Sequence, residues 1–349
     1  MRSKTPRHQS FAPINPSKEF PNLWRSVAVA SVVFFAGLVL IGRYGLPLFF
    51  SVVEYPAVSA VQDAGDALVG GDVVLAPPPP RPERRDDAPP FDAALSAQRV
   101  MVKDAESGMT LYGKNEYASW PLASITKLMS ALVLLETEQQ WSSSTQVIAD
   151  ELIDTHMYAG DTYTREELWR SALVGSSNKA MMTLVDRSSW PREAFVERMN
   201  QKAHELGMTS TRFTDPTGLD AGNVSTASDV LLLLNEALKQ DRIRETLAIE
   251  EVNLYSRERG KRHHMWNTNW LLLDWIPNTF SALHGGKTGY IPASGYNFVM
   301  RAQNENGHVL DVVVLGAQAH EARFTEARDA AVWAFSAYAW PGAASTTAF

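Results

Sequence analysis

The chain has 349 residues, a formal net charge of −7 and no cysteine. The acidic balance argues against a nucleic-acid partner, and the missing thiols exclude disulfides, cysteine-ligated zinc and thiol catalysis. Ordinary apolar and charged proportions exclude wholesale disorder and leave room for one large domain or two small ones.

The charge is uneven along the chain. Residues 1–25 hold Arg2, Lys4, Arg7, Lys18 and Arg25 against Glu19, a net of +4 that leaves −11 on the remainder. Between Arg25 and Arg43 lie 17 uncharged, nearly all apolar residues, Ser26 to Gly42. As a helix they span about 26 Å, close to the roughly 30 Å hydrocarbon core of a bilayer, and both flanking arginines can snorkel. The expectation is an uncleaved transmembrane anchor over 26–42, with the basic tail 1–25 in the cytoplasm and all that follows residue 43 exported. That puts the chain in the inner membrane with a periplasmic domain. The rival reading is a cleaved signal peptide and a secreted protein, but Arg43 interrupts the approach to any cleavage site and Val58-Ser59-Ala60 lies far downstream.

Residues 43–95 show no sustained helical period, and seven of residues 77–90 are proline. Such a stretch favours extended polyproline II and predicts a Pro-rich linker that holds a domain off the membrane. The folded domain is expected over 96–341, with a short tail over 342–349.

Within that domain Arg99 to Lys103 and Met109 to Tyr112 read as a hairpin around Glu106-Ser107-Gly108. Leu122 to Glu138 is apolar almost all round and predicts a buried helix. Further helices are expected over 165–174, 179–186, 191–206 and 227–239, with Pro191 in a first turn and Gly207 as a C-terminal cap. Ser294 to Ala302 and His308 to Gly316 read as a second hairpin turning at Asn304-Glu305-Asn306-Gly307, and Ala322 to Tyr338 as a closing helix. Strands at both ends with helices between them indicate α+β, an antiparallel sheet flanked by helices with a mostly helical insert.

Three motifs carry chemistry. Ser124-Ile125-Thr126-Lys127 opens the buried helix, so residues i and i+3 share a face and the amine can reach the hydroxyl. A serine hydroxyl needs an adjacent base, and lysine serves as one only when its pKa is pushed down. Alone the pattern is weak, since Ser176 to Lys179 matches it too. Ser176-Ser177-Asn178 can aim a hydroxyl and an amide into one cleft, or can simply cap the next helix. Gly286-Lys287-Thr288-Gly289-Tyr290 offers a fixed cation and a hydroxyl for a carboxylate, with Gly289 leaving a strand open to close approach.

In this order and spacing the three motifs resemble those of the penicillin-binding and serine β-lactamase superfamily. The wider segments are similar to those of the low-molecular-mass D-alanyl-D-alanine carboxypeptidases and endopeptidases. They are Pro121 to Met129, then Phe213-Thr214-Asp215-Pro216-Thr217-Gly218-Leu219 with Asn223 and Ser225-Thr226-Ala227, then Lys287 to Tyr290 with Ala293-Ser294-Gly295-Tyr296. The resemblance implies a β-lactamase/transpeptidase-like fold and a serine peptidase acting on peptidoglycan stem peptides, without a cofactor and trapped by β-lactam antibiotics. It implies Ser124 as acylated nucleophile, Lys127 as base, Ser176 as proton relay and Asn178 as positioner. Lys287 and Thr288 would bind carboxylate beside Gly289, and the N–H groups of Ser124 and Tyr290 would form the oxyanion hole. His284-Gly285-Gly286 departs from the family's usual Asp-Gly-aliphatic run, and the short C-terminus resembles the endopeptidase branch. The alternatives are a β-lactamase-like hydrolase or esterase, or a non-catalytic wall-binding scaffold on the same fold. The E-x-x-L-N segment of class A β-lactamases is missing after Ser176, and the intact motif set argues against a scaffold. His263-His264 are adjacent and ill placed for one metal. Trp266, Trp270 and Trp275 read as core or cleft wall rather than a sugar platform.

Overall fold

The computed structural model describes residues 79–341 apart from 92, 150–151 and 155–156. The predicted tail and anchor, 1–42, lie outside these residues, as do most of the predicted linker and the C-terminal tail over 342–349. Among the described residues no helix is long and apolar enough to cross a membrane.

Seven strands position the site. They are β1 (Arg99–Asp104), β2 (Thr110–Lys114), β3 (Glu251–Ser256), β4 (Lys261–Trp266), β5 (Ala282–Ile291), β6 (Gly295–Gln303) and β7 (Val309–Ala317). The helices are α1 (Thr126–Leu134), α2 (Arg165–Leu173), α3 (Asn178–Asp186), α4 (Arg192–Glu205), α5 (Ala227–Lys239), α6 (Asp241–Leu247) and α7 (Ala322–Ala337). One antiparallel sheet runs β5-β6-β7-β1-β2, joining both ends of the domain as predicted, with β5 on an edge. Three shorter strand pairs (83–84 with 338–339, 120–121 with 224–225, 144–146 with 162–164) tie loops to this frame.

β7 is apolar at nearly every position because both faces of the sheet are covered. Alternate residues serve two cores. Met101, Val299, Val313 and Leu315 face the helical insert around α1 and α5. Val100, Val102, Phe298, Met300, Val312 and Val314 face the alanine-rich side of α7. Every residue of α1 is buried, Lys127 among them.

The structure corrects some expectations. α1 ends at Leu134, not Glu138, because the Leu134 carbonyl accepts from the Gln139 amide (2.9 Å) and the Thr137 hydroxyl (3.2 Å) instead of from a continuing helix. The hairpin β3–β4 and the short α6 were not expected. The last part of the predicted linker belongs to the domain. Glu83 and Arg84 pair with Ala339 and Tyr338, Phe91 packs between Tyr112 and Trp333, and the Trp333 indole N–H donates to the Pro89 carbonyl. The Arg85 N–H in turn donates to the Ala337 carbonyl at the end of α7 (2.9 Å).

Candidate active site

Ser124 stands in a single 3₁₀ turn, Ala123–Ile125, that runs into α1. Ala123 has φ +50°, a left-handed conformation rare for a residue with a Cβ. The turn is pinned by three hydrogen bonds. The Leu122 N–H donates to the Asn223 carbonyl (2.8 Å), and the Asn297 amide on β6 donates to the carbonyls of Pro121 (2.9 Å) and Leu122 (3.1 Å). Two glycines allow the approach. A Cβ on Gly218, itself at φ +85°, would lie 1.9 Å from the Ala123 carbonyl oxygen. One on Gly289 would lie 2.6 Å from the Leu122 oxygen and 3.1 Å from the Ser124 nitrogen. The edge strand β5 is thus laid directly against the Ser124 turn.

The Lys127 ammonium has three acceptors. Its Nζ donates to Ser124 Oγ (2.8 Å), Asn178 Oδ1 (2.7 Å) and the Thr217 carbonyl (2.9 Å). Asn178 starts α3, whose N-cap is Ser177, and donates its own amide to the Ile153 carbonyl (2.6 Å). Asp154 fixes this loop by accepting from the Ser177 hydroxyl (2.5 Å) and the Lys179 N–H (2.8 Å). Ser176 is a second strained residue, at φ +59°, and its hydroxyl accepts from Lys287 Nζ on β5 at 2.9 Å. The competing S-x-x-K match therefore contributes Ser176 to the Lys287 side and only the backbone of Lys179 to loop structure. Next to Lys287, Thr288 donates its hydroxyl to that of Thr268 (2.7 Å). Tyr290 is half exposed and stacks on Tyr296 at 4.4 Å.

Burial drives the electrostatics. It pushes the Lys127 amine down from 10.5 to about 7, although the carboxylates of Asp215 and Asp154 partly oppose it. Lys287 is held well below the ordinary lysine range by burial first, then by the cations of Lys127 and Arg323. Desolvation is the largest cause for both amines. At neutral pH Lys127 is poised to accept a proton.

Several residues that shape the site carried no role in the motifs. Asp215 folds the loop that aims the Thr217 carbonyl at Lys127. Its side chain accepts from the N–H groups of Thr217 (2.5 Å), Gly218 (2.8 Å) and Asp220 (2.9 Å). Asn223 closes that loop by accepting from Thr214 N–H and donating to Asp215 Oδ2. Both lie in the mid-domain signature, which was the available signal. Arg323 on α7 is buried, is hydrogen-bonded to His320 Nε2 (2.7 Å) and points Nη1 toward the Gly289 carbonyl (3.4 Å). Thr268 and Arg323 have no local sequence pattern. Of the adjacent histidines, His264 pairs with Glu251 (2.7 Å) and His263 lies against Tyr158.

A two-serine, two-lysine cleft of this kind can acylate a serine at a carbonyl that neighbours a carboxylate. Comparison with known proteins points the same way. The family described as D-alanyl-D-alanine carboxypeptidase matches residues 85–319. A D-alanyl-D-alanine endopeptidase of Pseudomonas aeruginosa is 31% identical over 265 residues, 74% of this chain and 82% of that one. The D-alanyl-D-alanine carboxypeptidase DacF of Bacillus subtilis is 29% identical over 257 residues, 71% of this chain and 64% of that one. Among solved structures, penicillin-binding protein D2 of Listeria monocytogenes in its ampicillin-bound form superposes with a TM-score of 0.61 at 28% identity, covering 70% of this chain and 100% of that one.

Proposed function

Because the chain belongs to the D-alanyl-D-alanine carboxypeptidase family, we propose that Ser124 is the nucleophile of a serine-type D-Ala-D-Ala peptidase acting on peptidoglycan stem peptides. The observation that carries this reading is the buried Lys127 amine, depressed to about 7, at 2.8 Å from Ser124 Oγ. Neutral Lys127 takes the hydroxyl proton as Ser124 Oγ attacks the penultimate D-Ala carbonyl. The N–H groups of Ser124 and Tyr290 receive the developing oxyanion. The C–N bond then breaks, the proton held by Lys127 passes by way of Ser176 to the leaving amine, and an ester remains on Ser124. Water, deprotonated in turn by Lys127, releases the product. Asn178 and the Thr217 carbonyl hold the Lys127 amine in place. Lys287 and Thr288 bind the carboxylate next to the scissile bond, the group that a β-lactam also presents.

Fluorescent penicillin should label the wild-type chain covalently and leave a Ser124→Ala variant unlabelled. Digestion of purified peptidoglycan, read by mass spectrometry, should yield stems short of one terminal alanine or monomers from crosslinked dimers. Labelling of Ser124→Ala, or unchanged peptidoglycan, would overturn the reading.

The basic tail and the 17-residue apolar run support a second part of the proposal, a single-pass inner-membrane anchor over 26–42 with the catalytic domain in the periplasm. A reporter fused after residue 95 should be active only outside the cytoplasm. A mature N-terminus near Ala60 would replace the anchor with a cleaved signal.

A further inference from the structure

The tryptophans read from the sequence as core or cleft wall are not buried as a group. Trp266, at the end of β4, is 46% exposed and Trp275 is 49% exposed. Their rings meet edge to face at 5.7 Å, and Trp275 meets Trp270 in the same way at 5.5 Å. Trp270 lies against His320 at 4.3 Å, which fixes the inner end of the row. At the outer end the Trp266 ring touches that of His264, which is hydrogen-bonded to the Glu251 carboxylate at 2.7 Å. Between Trp266 and Trp270 the chain passes through Thr268, whose hydroxyl accepts from Thr288. The two exposed indoles therefore flank the carboxylate end of the cleft, the end from which a leaving amine departs.

Contiguous exposed aromatic surface beside a site marks a place where a ligand sits, in contrast to single scattered apolar residues. The chemistry of this surface is specific. Rigid ring faces suit a ligand with an apolar C–H face, and the His264–Glu251 pair beside them offers a donor and an acceptor to a polar rim. A pyranose has both features, with C–H groups over its faces and hydroxyl or N-acetyl groups around its edge. This inference rests on the peptidase reading. In a crosslink the leaving amine belongs to a second stem that carries a glycan of its own. Three residues of extended stem place that glycan about 10 Å from the scissile bond.

We infer that Trp266 and Trp275 form a sugar-stacking subsite on the leaving-group side, which holds an N-acetylhexosamine ring of the strand bearing the departing stem. The subsite selects crosslinked, glycan-bearing substrate over sugar-free peptide. Trp270 and His320 beneath it act as positioning residues.

The test uses the full-length chain. In a Ser124→Ala background, titration with an N-acetylglucosamine tetramer should change tryptophan fluorescence saturably, and the change should vanish when Trp266→Leu and Trp275→Leu are added. For turnover, a crosslinked muropeptide dimer is compared with the same dimer after its sugars are removed. The kcat/KM advantage of the sugar-bearing dimer should fall roughly tenfold in the double variant, with the sugar-free dimer and penicillin acylation within about twofold of wild type. Trp275→Phe, which keeps a ring, should retain most of the advantage and covers the case in which the double variant does not fold. Absence of saturable tetramer binding, or equal loss on both dimers, overturns the subsite. Saturable tetramer binding by a protein that neither reacts with penicillin nor cuts either dimer supports the subsite and rejects the peptidase reading.

Discussion

Replacing Lys127 by methionine should abolish acylation and, in a pH-dependent way, stabilise the fold. The amine is wholly buried, and burial brings its pKa to about 7 from 10.5. Below pH 7 the group is charged in both folded and unfolded chains, and the fold bears the full penalty of a buried cation. Above pH 7 the folded form releases the proton while the unfolded chain keeps it until about 10.5, so wild-type stability rises with pH across that window. At about 1.4 kcal/mol per pH unit the whole window corresponds to about 5 kcal/mol, and the part from pH 7 to pH 9 to about 3 kcal/mol. Methionine does not titrate. The advantage of Lys127→Met over wild type should therefore be greatest at pH 6 and shrink by about 3 kcal/mol by pH 9. Terms that do not depend on pH cancel in that comparison, and the change in hydrogen bonding as the amine loses its proton is already part of its pKa. Removing the Lys127 cation also relieves Lys287, which acts in the same direction. Urea unfolding of both proteins at four pH values between 6 and 9 measures the effect. Acylation by penicillin should drop about 10²–10⁴-fold throughout. A stability difference that is flat with pH, or that grows with it, would refute a buried, titrating Lys127 and send the search for the base elsewhere.

The wild-type acylation rate should rise with pH and level off, with a midpoint at about 7, since only neutral Lys127 accepts the proton; a stopped-flow profile that is flat from pH 5.5 to 8.5 would contradict this. Gly218→Ala should lower stability by about 1–3 kcal/mol and slow acylation, because the new Cβ would lie 1.9 Å from the Ala123 oxygen at a left-handed φ; an unchanged melting temperature would show that the nucleophile turn is free to shift. Binding of a carboxylate ligand to Ser124→Ala should take up a proton where the unliganded amine is neutral, since the carboxylate pairs with a Lys287 amine otherwise held down chiefly by burial. Calorimetric heats should then differ between phosphate and Tris buffers. Lys287→Met should remove that difference and weaken binding roughly 10- to 150-fold, the value of a charge-assisted hydrogen bond.

What the sequence shows and what it hides divide along physical lines. Ser124 and Lys127 were legible because helix geometry alone brings i and i+3 together, and their 2.8 Å contact needs nothing from the rest of the chain. Ser176 and Lys287 are 111 residues apart, and no local rule joins them; the order of the motifs did. The Thr217 carbonyl could not be read as a ligand of Lys127, since every residue has a carbonyl and only the Asp215 loop aims this one. The β3–β4 hairpin had a readable period, with Val252, Leu254 and Ser256 inward, but the inward serine and the charged partner strand Lys261–Trp266 masked it. The linker boundary fell too late because composition reports the extended backbone of a proline run and says nothing of the partner that covers it. The tryptophans divide between core and cleft wall for a related reason. Residue type and spacing show that Trp266 and Trp275 are large and apolar, but whether such a ring faces core or water depends on what the fold lays over it. Here Phe324 on α7 and His320 just before it cover Trp270, and the outer two rings stay open.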